Sequence, residues 1–207
     1  SQTDQAEKYY QLAYEHFNKS TKEHAGLGVA TALGNLGLIA QSRGDIEKSI
    51  RLHLQSLDGW QASNVPERHT AVGNIYANVA SLYSRQGQFE KAAYYDKKGL
   101  EIRHKFGKRD TDLGAAYIFL VDDFNKMKQR DSAKKYLSIA QTLVDELKAP
   151  DLYMRFHGAA ARLAFDEKSF DNSLEHSKQM LSFAKDLKSL NPEMNAHLLL
   201  AQNYRAL

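Results

Sequence analysis

Short polar breaks recur along this chain at a nearly constant distance, and that recurrence limits the fold more than any other feature. The tight ones are Ser42-Arg43-Gly44-Asp45, Arg85-Gln86-Gly87-Gln88, Lys128-Gln129-Arg130-Asp131 and Glu167-Lys168-Ser169. Looser breaks alternate with them at 63–66, 107–110, 148–151 and 190–192. Segments rich in Ala, Leu and Tyr lie between the breaks with apolar residues at helical spacing. Glycine ends a helix cheaply because it tolerates positive φ, and Pro66, Pro150 and Pro192 stand where a first helical turn accepts proline. A chain punctuated in this way is a series of helix pairs, and repeats of that kind must stack to bury a core.

Superimposing the tight breaks gives a common frame. Leu33, Leu36-Gly37, Ala40, Gly44, Ile46, Ser49, His53 and Ser56-Leu57 define the first full unit. Tyr76, Val79-Ala80, Tyr83, Gly87, Phe89, Ala92, Asp96 and Gly99-Leu100 define the second. The third carries Tyr117, Leu120-Val121, Phe124, Ala133, Leu137 and Ala140. The fourth carries His157, Ala160-Ala161, Ala164, Phe170, Ser173, Ser177 and Met180-Leu181. Small residues recur where two helices must approach closely, and large ones recur where they fill the gap to the next pair. Gly37, Ala80, Val121 and Ala161 are separated by steps of 43, 41 and 40 residues. Ala6-x3-Tyr10-x2-Ala13 repeats the second-helix spacing, and His197-x2-Leu200-Ala201-x2-Tyr204 repeats that of a first helix.

This pattern resembles the tetratricopeptide repeat. That family places a large residue, Leu-Gly, Tyr, a turn Gly, an aromatic and two alanines at these offsets. The second unit matches best, through Tyr83, Gly87, Phe89 and Ala92; the first supplies Leu36-Gly37; the third and fourth lack the turn glycine. The period exceeds the roughly 34 residues usual for the family, so the helices are expected to be longer. Units of this length also occur in HEAT and armadillo repeats, whose small-residue pattern differs. The resemblance implies an all-α, right-handed α-α superhelix, a TPR-like solenoid of about ten antiparallel helices. One array over 1–207 is expected: a half repeat at 3–20, repeats at 26–62, 67–106, 110–148 and 150–189, and a half repeat at 192–207. The chain is similar to extended members such as the kinesin light chain type, bacterial peptide-sensing regulators, and sensor domains attached to histidine kinases or diguanylate cyclases.

The resemblance also implies that first helices line a concave face on which a ligand lies. Matching offsets place Asn35, Leu38, Gln41 and Ser42 there from the first unit, and Asn78, Ser81, Ser84 and Arg85 from the second. The third unit places Phe119, Asp122, Asn125 and Lys126, and the fourth Arg155, Arg162 and Phe165. In similar proteins an Asn just before the Leu-Gly pair reaches the main chain of an extended ligand, and Asn35 and Asn78 occupy that place. A carboxamide donates and accepts at once, so it recognises backbone without demanding sequence. Arg85, Lys126, Arg155 and Arg162, opposed by Asp122, favour an acidic or carboxylate-bearing partner. The complete set of Lys and Arg positions by which chaperone-binding relatives grip a C-terminal carboxylate is missing. Micromolar affinity, about −8 kcal/mol, is the expectation for such a groove.

Net charge is +3, yet residues 97–135 hold 11 Lys and Arg against 6 Asp and Glu. That local excess motivates an alternative, a nucleic-acid-binding helical repeat, which would lose affinity steeply with salt. Catalysis is not expected, and neither is a cofactor or a metal. With no cysteine there is no thiolate chemistry or disulfide, and the compartment stays open between cytoplasm and bacterial periplasm. The eight histidines show no His-Glu-x-x-His and no i, i+4 pair; His53, His157 and His197 fall at packing positions, and the others are scattered. Ala25-Gly26-Leu27-Gly28 lacks the third glycine and the strand of a dinucleotide loop, and no Walker-type phosphate loop occurs. Asp122-Asp123 point apart on a helix, and Asp110 and Asp112 suit a helix start. No targeting peptide and no apolar stretch of membrane-spanning length is evident. Leu198, Leu199 and Leu207 leave apolar surface on the C-terminal half repeat, so self-association through it is a further possibility.

Overall fold

In the computed structural model, which describes residues 2–20, 25–62, 69–107 and 109–207, ten α-helices follow one another and no strand occurs among the described residues. Pro66 lies outside the described residues. The chain falls into two compact units, 1–107 and 108–207.

The first unit holds α1 (Gln2–Asn18), α2 (Ala25–Ser42), α3 (Ile46–Ala62), α4 (His69–Arg85) and α5 (Phe89–Lys105). Its pairs close through small residues. An added Cβ at Gly59 on α3 would come within 2.9 Å of the Ala30 Cβ on α2. Ser49 and Ser56 Oγ on α3 donate to Gly37 O and Ala30 O on α2 at 2.8 and 2.6 Å, so these short side chains both permit the approach and satisfy themselves within it. Leu57, Val72, Ile75, Tyr76 and Val79 then form the core between the α2–α3 and α4–α5 pairs, with Trp60 and Tyr95 at its edge.

The second unit holds α6 (Thr111–Lys126), α7 (Arg130–Leu147), α8 (Pro150–Asp166), α9 (Phe170–Asp186) and α10 (Leu190–Ala206). Asp110 caps α6 by accepting from Leu113 N at 3.0 Å, and Pro150 opens α8 where its missing N–H costs nothing. Ser173 Oγ donates to Ala161 O at 2.8 Å, the same contact that Ser49 makes in the first repeat. Met154, Ala161, Met180, Ala184, Ala196 and Leu199 form a core joining α8, α9 and α10. The neighbouring Leu198 and Leu207 stay exposed, as expected for that helix, whereas Leu199 is buried.

All four tight turns share one geometry. The residue after each left-handed position donates its N–H to the carbonyl five residues back: Asp45 to Ala40, Gln88 to Tyr83, Gln129 to Phe124 and Ser169 to Ala164, each at 2.9 Å. Gly44 and Gly87 take the left-handed position in the first unit, with φ of 82° and 74°. Lys128 and Lys168 take it in the second, with φ of 60° and 61°. A side chain there costs about 1 kcal/mol. Lys168→Gly and Lys188→Gly, the latter at φ 51°, should each raise unfolding free energy by up to about 1 kcal/mol, read as a higher urea midpoint at unchanged slope.

Candidate functional site

Both asparagines that precede the small residue of their first helices keep half-buried side chains, while Leu36-Gly37 and Val79-Ala80 beside them are buried. Asn35 Nδ2 donates to Thr31 O of its own helix at 3.0 Å. One amide hydrogen is used in that bond, which fixes the rotamer, and the carboxamide retains a donor and its oxygen. Leu38 is 47% exposed on α2, with Gln41 half-buried and Ser42 exposed a turn later. On α4, Ser81 and Ser84 are half-buried and Arg85 is exposed.

In the second unit the expected residues converge. Phe119, Asp122, Arg155 and Arg162 line one pocket of about 250 Å³ between α6, α8 and α10. Its floor is an ion pair: Arg162 Nε and Nη2 donate to the two oxygens of Asp122 at 2.9 and 2.7 Å, a two-pronged contact from α8 to α6. Arg155 donates to Asp151 one turn away at 3.1 Å. Phe119 is 37% exposed and Lys126 is exposed, while Phe165 packs edge-on against Phe170 with 5.5 Å between centroids.

Asn125 does not join this surface. It is 3% exposed, and its Nδ2 donates to Asp166 Oδ2 at 2.9 Å, because the C-terminal end of α8 covers the last turn of α6. His197 also departs from expectation. It is exposed, since nothing among the described residues packs on that face of α10, whereas His53 is 1% exposed and His157 half-buried. His176 is not scattered after all: His157 Nδ1 and His176 Nδ1 lie 2.9 Å apart. They occupy the places of Tyr76 with Tyr95 and of Tyr117 with Tyr136, whose rings also meet in their own units, at 6.2 and 6.1 Å. Repeat register, rather than His spacing along the chain, was the signal that would have found this pair. Burial pushes both imidazoles below their usual range, His157 to about 4. Burial also lowers His53 to about 4.

Sequence reasoning missed the apolar part of the pocket, Ile118, Met154, Gly158 and Met180, and the rim residues Pro192 and Asn195. A larger apolar gap of about 390 Å³ between α1 and α2, lined by Tyr10, Phe17, Leu27 and Thr31 among others, contains no expected site residue. Among the described residues no group of three or more His, Cys, Asp or Glu is placed to hold a metal ion, and no helix is long and apolar enough to cross a membrane.

The profile of the tetratricopeptide repeat matches residues 1–62 and 28–105, which together span half of the chain. The chain belongs to the tetratricopeptide repeat family. No curated protein sequence matches it. Solved structures similar to this TPR chain include BtubC from P. vanneervenii, at 15% identity and a TM-score of 0.71, covering 100% of this chain and 91% of that one. Aspartyl phosphate phosphatase F from Bacillus subtilis is 13% identical with a TM-score of 0.69, covering 99% and 55%. A signal transduction ATPase with numerous domains and a tetratricopeptide repeat sensor, from Pyrococcus horikoshii, is 15% identical with a TM-score of 0.61, covering 98% and 34%. At these identities the likeness is one of fold: an all-α TPR solenoid.

Proposed function

We propose that this TPR chain is a protein-interaction scaffold that holds an extended protein segment by its main chain and forms the sensing or interaction part of a larger regulatory protein. The TPR fold is typical of protein-interaction scaffolds and generally non-catalytic. The observation that carries the finer reading is the pair Asn35 and Asn78, polar and half-buried at matching places just before the buried Leu36-Gly37 and Val79-Ala80. Two of the similar structures are regulatory or sensor-bearing proteins, which supports the regulatory reading.

Peptides selected from a random library on the intact chain should bind in the micromolar range. Asn35→Ala with Asn78→Ala should weaken them about tenfold or more, the equivalent of one to two lost hydrogen bonds, while circular dichroism and melting temperature stay nearly unchanged. Equal affinity for the double variant would remove the asparagines from the site.

A preference for acidic segments rests on the exposed Arg85 and Lys126, because Arg155 and Arg162 already have carboxylate partners. The nucleic-acid alternative loses much of its motivation for the same reason. Arg109 pairs with Glu146, Lys128 with Asp166 and Lys134 with Glu167, so acids from outside the stretch offset part of the excess within 97–135. A gel shift at about 50 mM salt should show no binding; a retarded band that fades with salt would favour the alternative. Self-association through α10, where Leu190, Met194 and Leu198 are exposed, is read by light scattering of the chain against Leu198→Glu. A lower mass for the variant supports it, and equal masses reject it.

A further inference from the structure

We propose that the pocket between α6, α8 and α10 reads one bulky apolar residue of the bound segment together with that residue's main-chain carbonyl, and that it prefers a neutral amide to a carboxylate. The inference rests on the reading that the chain binds a protein segment, and it names what the second unit would recognise in it.

The apolar half of the site is built from Ile118, Phe119, Met154 and Met180. Two thioethers make such a wall adaptable in shape, so size rather than one exact outline is selected. Gly158 lines the same pocket, and Met180 and Arg162 close in on it. A Cβ there would lie 3.1 Å from Met180 Sδ and 3.3 Å from Arg162 Nη1. A methyl at 158 would therefore press on both the Met180 thioether and Nη1, two groups that line the pocket.

Charge decides the polar half. Arg162 gives Nε and Nη2 to Asp122, which leaves the two N–H groups of Nη1 outside that pair. Asp122 has already neutralised the guanidinium, so a second carboxylate would gain little attraction and would be repelled by Asp122 a few ångströms away. A carbonyl oxygen accepts from Nη1 without that penalty. Arg155 does not change the balance, because Asp151 offsets it. An arginine fork is ordinarily a sign of carboxylate recognition; here the fork is filled from within, and its remaining edge suits a peptide group. Asn195 on the rim adds a carboxamide able to meet the next peptide unit.

The probe is N-acetyl-leucine methylamide, which carries one bulky side chain between two neutral amides. Binding to the intact chain is read from the methyl signals of 13C-labelled methionine. Met154 and Met180 should shift with a dissociation constant in the millimolar range expected for a ligand of this size, while Met127, which does not line the pocket, should stay still. N-acetyl-alanine methylamide should bind about tenfold more weakly, and N-acetyl-leucine with its free carboxylate several-fold more weakly than the methylamide. Gly158→Ala should weaken the leucine probe about tenfold. Phe119→Ala, which removes a partly exposed ring and so spares the fold, should weaken it as well. Absence of Met154 and Met180 shifts at about 10 mM probe, equal or tighter binding of the carboxylate, or affinity for the leucine probe unchanged in both Gly158→Ala and Phe119→Ala would each overturn the proposal. None of these outcomes touches Asn35 or Asn78, so the site on the first unit stands or fails separately.

Discussion

Acidification from pH 7 to pH 4 should cost this chain several kcal/mol of stability, and His53 should account for the largest single share. His53 is 1% exposed beneath Gly37, whose absent Cβ would meet its ring at 3.0–3.1 Å, and neither ring nitrogen has a hydrogen-bond partner. Burial therefore holds its pKa down to about 4, against about 6.5 in the unfolded chain. The unfolded state takes up a proton first as pH falls. Stability is therefore full above about pH 6.5 and is lost between there and about 4, at roughly 1.4 kcal/mol per pH unit for each such group. His53 contributes on the order of 3 kcal/mol across that window. His157, only half-buried, contributes less, and its bond to His176 makes the two titrate as a pair.

His53→Leu should flatten most of the acid limb and raise stability at pH 7, because two unpaired buried nitrogens disappear and Leu137 already fills the matching place in the third repeat. Urea unfolding at half-unit steps from pH 4 to 7.5 reads both effects. An unchanged slope in the variant would mean that the imidazole finds water or a partner when protonated.

The second large effect concerns the contact between first helices of the second unit. The Leu152 methyl carbons lie 2.7 and 3.0 Å from where a Cβ on Gly114 would stand. Leu152 is 0% exposed, so Leu152→Ala should cost about 3 kcal/mol, within the range for a fully buried leucine. Gly114→Ala alone should cost about 1–3 kcal/mol by overpacking. The double variant should cost at least about 1 kcal/mol less than the sum, because the new methyl occupies space that the leucine vacates. Strict additivity would show that the glycine is there for another reason than the close approach of α6 and α8.

That contact shows why much of the fold was legible. Close helix approach admits few residue types, so Gly37, Ala80, Val121 and Ala161 repeat at matching offsets, and all four are buried. All four tight turns were legible as polar breaks, but the left-handed position was marked only where glycine occupies it; at 128 and 168 lysine adopts the same backbone, held by the same hydrogen bonds, and nothing in its chemistry announces this. Helical offset picked out Phe119, Asp122, Arg155 and Arg162, which line one pocket. It failed for Asn125, because exposure on one helix depends on how far the next first helix reaches, and α8 reaches over the end of α6. Charge was the least legible property. Arg162 finds Asp122 40 residues earlier and Lys128 finds Asp166 38 residues later, one repeat away in each case, so a count along the chain does not see which charges the neighbouring repeat pairs.

Backbone recognition by Asn35 and Asn78 can be measured directly with one library-selected peptide and a series of its single N-methylated analogues, titrated calorimetrically against the parent chain and the Asn35→Ala and Asn78→Ala variants. If the carboxamides hold main-chain groups, at least one N-methylation should weaken binding to the parent chain by about tenfold and leave binding to the matching alanine variant nearly unaffected, a coupling of about 1 kcal/mol or more. If every N-methylated peptide loses the same affinity on the parent and on both variants, the asparagines do not touch the ligand backbone and the account is contradicted.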